Sequence, residues 1–178
     1  MKTLMPVLLT LSVVTLWPGR LAAWPEPEVL AERYGAPAEA CWASAADFEA
    51  RRACDGMVFE ACTAGEPGGQ SNQGMSACLY GANAFWDGLL NAEWARVIAQ
   101  AKAVDAETRR SEPVYAVREE RLRAAQRAWI GFRDAQCAFD EAVPGSGSMR
   151  LLYYPGCLGR MTFERLLDLV AIGDELEE

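Results

Sequence analysis

Met75, Leu79, Ala82, Trp86, Leu90, Trp94, Val97, Ala101 and Val104 recur at steps of three and four, which places them on one stripe of a single long helix. Ser71 or Asn72 is placed to cap its start, and the polar run from Asp105 to Pro113 to end it. A second stripe follows through Val114, Val117, Leu122, Ala125, Trp129, Phe132 and Phe139, and stops at Pro144-Gly145-Ser146-Gly147. A last helical stretch covers Met149 to about Ile172, with Pro155-Gly156 expected to kink or split it. Upstream, Pro37-Ala38-Glu39 opens a helix, and Asp47 caps another that reaches about Cys62 before the breaker Gly65-Glu66-Pro67-Gly68-Gly69. Alternating β-branched runs are missing, so no strand is expected. Two long amphipathic helices joined by a short polar loop lie antiparallel. The expected fold is all-α: a compact helical bundle built on that pair, with shorter helices covering its edges.

The amino terminus reads differently. Met1-Lys2 supplies a positive start, Leu4 to Trp17 an apolar run, and Leu21-Ala22-Ala23 the small residues of a cleavage site. The run is too short to span a membrane well, so residues 1–23 are expected to be a signal peptide and no membrane anchor to remain after its removal. Trp24 to Pro37, rich in proline and acid, is expected to form a leader with one turn of helix near Val29–Tyr34. Residues 38–178 then form a single helical domain. The protein is expected in the periplasm or outside the cell.

The export signal changes the meaning of six cysteines, because thiols oxidise in that compartment and an even count reads as a disulfide framework. Six cysteines allow fifteen pairings. Position favours Cys137–Cys157 across the Gly-Ser-Gly turn, Cys62–Cys78 around the Gly-Pro-Gly-Gly loop, and Cys41–Cys54 around Asp47. No C-x-x-C pair is present, as a zinc or redox site would want, so no metal and no cofactor is expected.

The chain carries 17 basic and 25 acidic residues, a net charge of −8, and loses Lys2 and Arg20 with the signal. A nucleic-acid partner is disfavoured, since phosphate binding needs a basic surface. A basic protein partner suits it better. With no histidine anywhere, the usual general base is missing, and serine or cysteine nucleophiles lack their customary partner. Asp87, Glu93, Asp134 and Asp140 could form a carboxylate pair, but carboxylates on helices are ordinarily solvated or ion-paired. An enzyme is not expected.

The densest information lies in Ala124–Cys137, where Gln126, Arg127, Trp129, Arg133 and Asp134 crowd polar groups against aromatics. Such groups must be satisfied when buried, and Gln126 or Arg133 is expected to pair with Asn91 or Asp87 on the facing helix. The stretch A-A-Q-R-A-W-I-x-F-R-D-A-x-C resembles the hallmark of the LprI-type lysozyme inhibitors. Met75-Ser-Ala-Cys78, Trp86-Asp87-Gly-Leu-Leu90-Asn91-Ala-Glu-Trp94, and Gly147-Ser148-Met149 with Cys157 and Thr162-x-x-Arg165 resemble three further pieces of the same family. The resemblance covers residues 62–167. It implies an exported, all-helical, disulfide-bonded domain that binds and inhibits lysozyme, protecting peptidoglycan. The family's namesake carries a lipid-attachment cysteine that this chain lacks, and Cys41 and Cys54 lie outside the shared part. The turns Gly65–Asn72 and Pro144–Ser148, braced by disulfides, are candidates to enter a muramidase cleft. The alternative is a periplasmic scaffold or binding module of the same family without inhibitory activity.

Overall fold

A computed structural model describes residues 23–177, so the expected signal peptide lies outside the described residues apart from Ala23. The elements are α1 (Pro27–Tyr34), α2 (Ala36–Ser44), α3 (Phe48–Arg52), α4 (Met57–Gly65), α5 (Asn72–Ser111), a 3-10 turn (Pro113–Tyr115), α6 (Arg118–Ala142) and α7 (Arg150–Glu177), with no strand among the described residues. The fold is an all-α bundle.

α5, α6 and α7 run up, down and up. α5 and α6 are antiparallel, as their hairpin requires. The most extensive packing, however, joins α5 to α7, and these two run parallel: Asn72 meets Ser148, Asn83 meets Thr162, and Arg96 meets Glu177. Trp86 sits at the centre of the core, its ring 4.7 Å from Phe163 and 4.8 Å from Phe85. Around it Ala82, Leu90 and Val97 of α5 meet Leu166, Leu167, Leu169 and Val170 of α7.

Three local expectations change. The helix begun at Asp47, whose carboxylate accepts the Ala50 N–H at 2.8 Å, does not run on to Cys62. Gly56 takes the left-handed conformation (φ +82°) and divides α3 from α4. α7 runs unbroken through the buried Pro155. Pro155 lies in the second turn, where its missing N–H removes one bond only. Pro27–Tyr34, expected as a leader with a single turn, is a two-turn helix whose Leu30 is fully buried against the Cys62–Cys78 bridge. Gly81 permits this approach, since a Cβ there would lie 2.7 Å from Leu30 Cβ.

The second stripe is also placed differently. Leu122 and Trp129 face the core, but Val114, Phe132 and Phe139 are 74%, 60% and 64% exposed. The inward face of α6 carries Gln126, Arg133, Gln136 and Cys137 instead.

Candidate functional site

The sequence-expected polar cluster divides into two groups. On the inward side of α6, Gln126 Oε1 accepts the Arg165 Nε–H at 2.9 Å, and Arg133 and Arg165 lie over the Trp129 ring at 5.0 and 5.8 Å. Arg165 Nη1 is 3.6 Å from Asp168, while its buried Nη2 has no hydrogen-bond acceptor. The Trp129 π-face helps to offset that loss. Thr162 Oγ1 bonds Asn83 Oδ1 at 3.0 Å. The expected cross-helix pairing to Asn91 or Asp87 does not occur. Asn91 donates to Asp87 on its own helix at 2.8 Å, and Arg133 pairs with the adjacent Asp134 at 2.9 Å. The reason is the direction in which α6 faces: it packs mainly on α7, so Gln126 finds its partner there. Arg127 is exposed. The cluster's buried members, Gln126 and Thr162, bond to Arg165 and Asn83 within the bundle. Gln126→Ala is expected to leave Arg165 Nε unpaired and lower stability by about 1–2 kcal/mol, read as a shift of the urea midpoint.

The two candidate turns lie side by side, and the chain direction explains why. α5 and α7 run parallel, so the turn before each opens at the same end of the bundle. Asn72 Nδ2 donates to Ser148 Oγ at 3.0 Å and couples them. Each turn is flanked by a disulfide: Cys62–Cys78 around the first, Cys137–Cys157 around the second. The third bridge, Cys41–Cys54, lies among α2 and α3, and no free cysteine remains among the described residues. Thiol titration of the unfolded, unreduced protein is expected to find no free thiol. Two or more would contradict these pairings.

The first turn is held firmly. Gly68 adopts φ +77° with the Trp24 ring against it, and Ser71 Oγ donates to the Gly68 carbonyl at 2.7 Å while accepting the Gly74 N–H at 3.0 Å. Gln70 Nε2 donates to the Thr63 carbonyl at 2.9 Å. Glu66, just past α4, accepts Tyr34 Oη–H at 2.8 Å and Arg33 Nη1–H at 2.6 Å. The Tyr34 bond, helped by Arg33 and opposed by burial, holds its carboxyl below the usual range. So α1 ties the first turn to the body of the protein.

The second turn is barer. Gly145 has φ +61°, and Val143, Met149, Leu151 and Tyr153 around it are exposed. Beside it a shallow groove of about 340 Å³ is lined by Tyr80, Glu141, Arg150, Leu151 and Tyr154 among others. Burial, with Tyr154 and Glu141 nearby, pushes the Tyr80 hydroxyl up. Tyrosine, methionine and arginine around small turn residues match the composition of protein-binding surfaces.

The carboxylates considered for acid–base work do not converge. Asp87 accepts from Asn91, Glu93 from Arg96, and Asp140 from Gln136. Asp134 is held by Arg133. No group of three or more Cys, Asp or Glu able to hold a metal occurs among the described residues, and no helix there is long and apolar enough to cross a membrane. Sequence reasoning missed Glu66, Tyr80 and Tyr153. Their signal was weak, since single polar or aromatic residues near turns rarely stand out.

Comparison with known proteins agrees with the motif. A family model described as lysozyme inhibitor LprI matches residues 62–169. An uncharacterised protein of Rhizobium meliloti (strain 1021) is 36% identical over 91 residues, which span 51% of this chain and 66% of that protein, just under two thirds of its length. No solved structure matches the chain.

Proposed function

The chain belongs to the LprI lysozyme inhibitor family, and from that premise we propose that it is exported, loses residues 1–23, and binds and blocks a lysozyme-like muramidase. It acts by offering a surface and performs no chemistry of its own. The end of the bundle that carries Gly65–Asn72 and Pro144–Ser148 is the inhibitory face. One observation carries this reading: both turns stand together, coupled by Asn72–Ser148 and each flanked by its own disulfide. A surface fixed before binding loses little entropy when it docks, so more of its contact energy survives as affinity. The exposed Met149, Leu151 and Tyr153 supply apolar contact area next to the turns. Without Lys2 and Arg20 the chain keeps 15 basic and 25 acidic residues, and the resulting net charge of −10 suits a cationic target and speeds encounter with it. The disulfides fit an oxidising compartment.

The test is a cell-wall clearing assay with lysozyme and excess oxidised protein. Clearing is expected to slow in proportion to the protein added, and undiminished clearing would sink the reading. Met149→Asp combined with Tyr153→Ala is expected to weaken inhibition by about 10-fold or more with the circular dichroism unchanged. Raising ionic strength from about 0.05 to 0.5 M is expected to slow association by roughly 10-fold, because screening removes the steering. An association rate indifferent to salt would remove charge from the account.

A further inference from the structure

From Ala124 to Ala142 the outward face of α6 is apolar and nothing in the bundle covers it, with the exposed Arg121 at its amino-terminal end. Phe132 and Phe139 stand seven residues apart and largely exposed, with the exposed Ala128, Ala135 and Ala142 at the alternating three- and four-residue steps. That is the spacing of a helix–helix seam, here lying on the side turned away from α5 and α7. From Ala124 to Ala142 the face extends about 27 Å, at 1.5 Å per residue. One flank of that span carries a row of charged residues, Arg127, Asp134 and Glu141, each two turns from the next. Asp134 is neutralised by Arg133. Arg127 and Glu141 have no ion-pair partner among the described residues.

We infer that this face binds the same face of a second copy of the chain, forming a two-fold dimer through antiparallel α6 helices. Two properties select that occupant. The first is shape. In an antiparallel pair each residue of one seam step faces the other step across the axis, so Phe132 lies over the partner's Ala135 and Phe139 over the partner's Ala128. Large meets small in each layer that holds a phenylalanine, which allows close approach there without a void. A parallel pair would set phenylalanine against phenylalanine and alanine against alanine. The second is charge. In a two-fold antiparallel pair the same flank meets itself in reverse, which brings Arg127 beside the partner's Glu141 at both ends. The two unpaired charges on the flank thereby satisfy each other, while Asp134, which meets its own copy at the two-fold axis, keeps Arg133 as its counter-ion. A strongly cationic partner is served less well, because the face itself bears no acid.

Sedimentation equilibrium of the oxidised protein purified from the periplasm tests this. At about 100 µM the wild type is expected at twice the chain mass. Phe132→Glu with Phe139→Glu is expected to raise the dissociation constant more than about 10-fold, while the thermal midpoint holds at a dilution where both proteins are monomeric, since both side chains face solvent in the single chain. Arg127→Glu alone and Glu141→Arg alone are each expected to weaken the dimer, and the double swap to restore it. A monomeric wild type overturns the inference. So does a dimer indifferent to the phenylalanine variants, or a double swap no tighter than either single variant. A monomeric wild type whose phenylalanine variants lose lysozyme inhibition would assign the face to lysozyme and equally overturn it. Mass is read without lysozyme, so this result and the clearing assay can fail independently.

Discussion

Trp86→Ala is expected to lower the free energy of unfolding by about 4 kcal/mol, the largest single loss among the substitutions considered. Trp86 is 1% exposed and touches three aromatic rings from three elements: Phe85 beside it on α5, Phe163 on α7, and Trp42 on α2 at 5.9 Å. Removing the indole takes away transfer energy and leaves a cavity that these rings cannot fill without leaving their packed positions. Edge-to-face stacking adds to the cost. Domains of this size have only about 5–15 kcal/mol of stability, so the variant should unfold at markedly lower urea concentration with a similar slope. A loss below about 1.5 kcal/mol would mean that the core is not organised around this residue.

Asp105→Ala is expected to cost about 3 kcal/mol. The side chain is almost fully buried near the end of α5, yet its two oxygens serve the start of α6. Oδ1 accepts the Arg118 backbone N–H at 3.0 Å, and Oδ2 the Glu119 N–H at 2.9 Å. α6 has no capping side chain of its own at Val117, so a residue twelve positions upstream does that work. Arg118 Nη1 approaches at 3.4 Å. Truncation would strand two part-buried donors. Asp105→Asn keeps one good acceptor and should lose about half as much. The pH dependence follows. Burial pushes the Asp105 carboxyl up, but the Glu119 and Arg118 backbone bonds and the Arg118 guanidinium outweigh it, so its pKa lies below the usual value. A carboxyl depressed in the folded state adds stability that is fully present above the unfolded value, about 3.9, and is lost as pH falls through the folded value. Urea midpoints should therefore drop as pH falls below about 4, with a shallower drop in Asp105→Asn. Glu66, also depressed, keeps the drop from vanishing. Equal drops in wild type and Asp105→Asn would remove the capping role.

Much of the fold was legible because helix and turn signals are local. Ser71 and Asp47 cap where their short oxygen-bearing side chains can reach an N–H two or three residues on. The α5 stripe buries Ala82, Trp86, Leu90, Val97 and Ala101 as its spacing requires. The cysteine pairs follow from loops short enough that neighbours in sequence are neighbours in space. Even Asp105 left a trace: it sits four residues past Ala101 on the buried stripe, where a carboxylate needs a partner.

The sequence by itself therefore determined the class, the α5 and α6 helices and the turns that bound them, since each depends on contacts within a few residues, and it favoured the cysteine pairs through their short loops. The tertiary structure alone decided the rest. It decided that α7, running parallel, is the main neighbour of α5 and that both candidate turns share one end. It decided that Leu30 belongs to the core. It turned α6 so that Gln126, Trp129 and Arg133 point inward while Phe132 and Phe139 point out. Periodicity shows that residues share a face. Which way that face turns depends on whether its polar groups find partners across the bundle, and Arg165, thirty-nine residues from Gln126, supplies that partner.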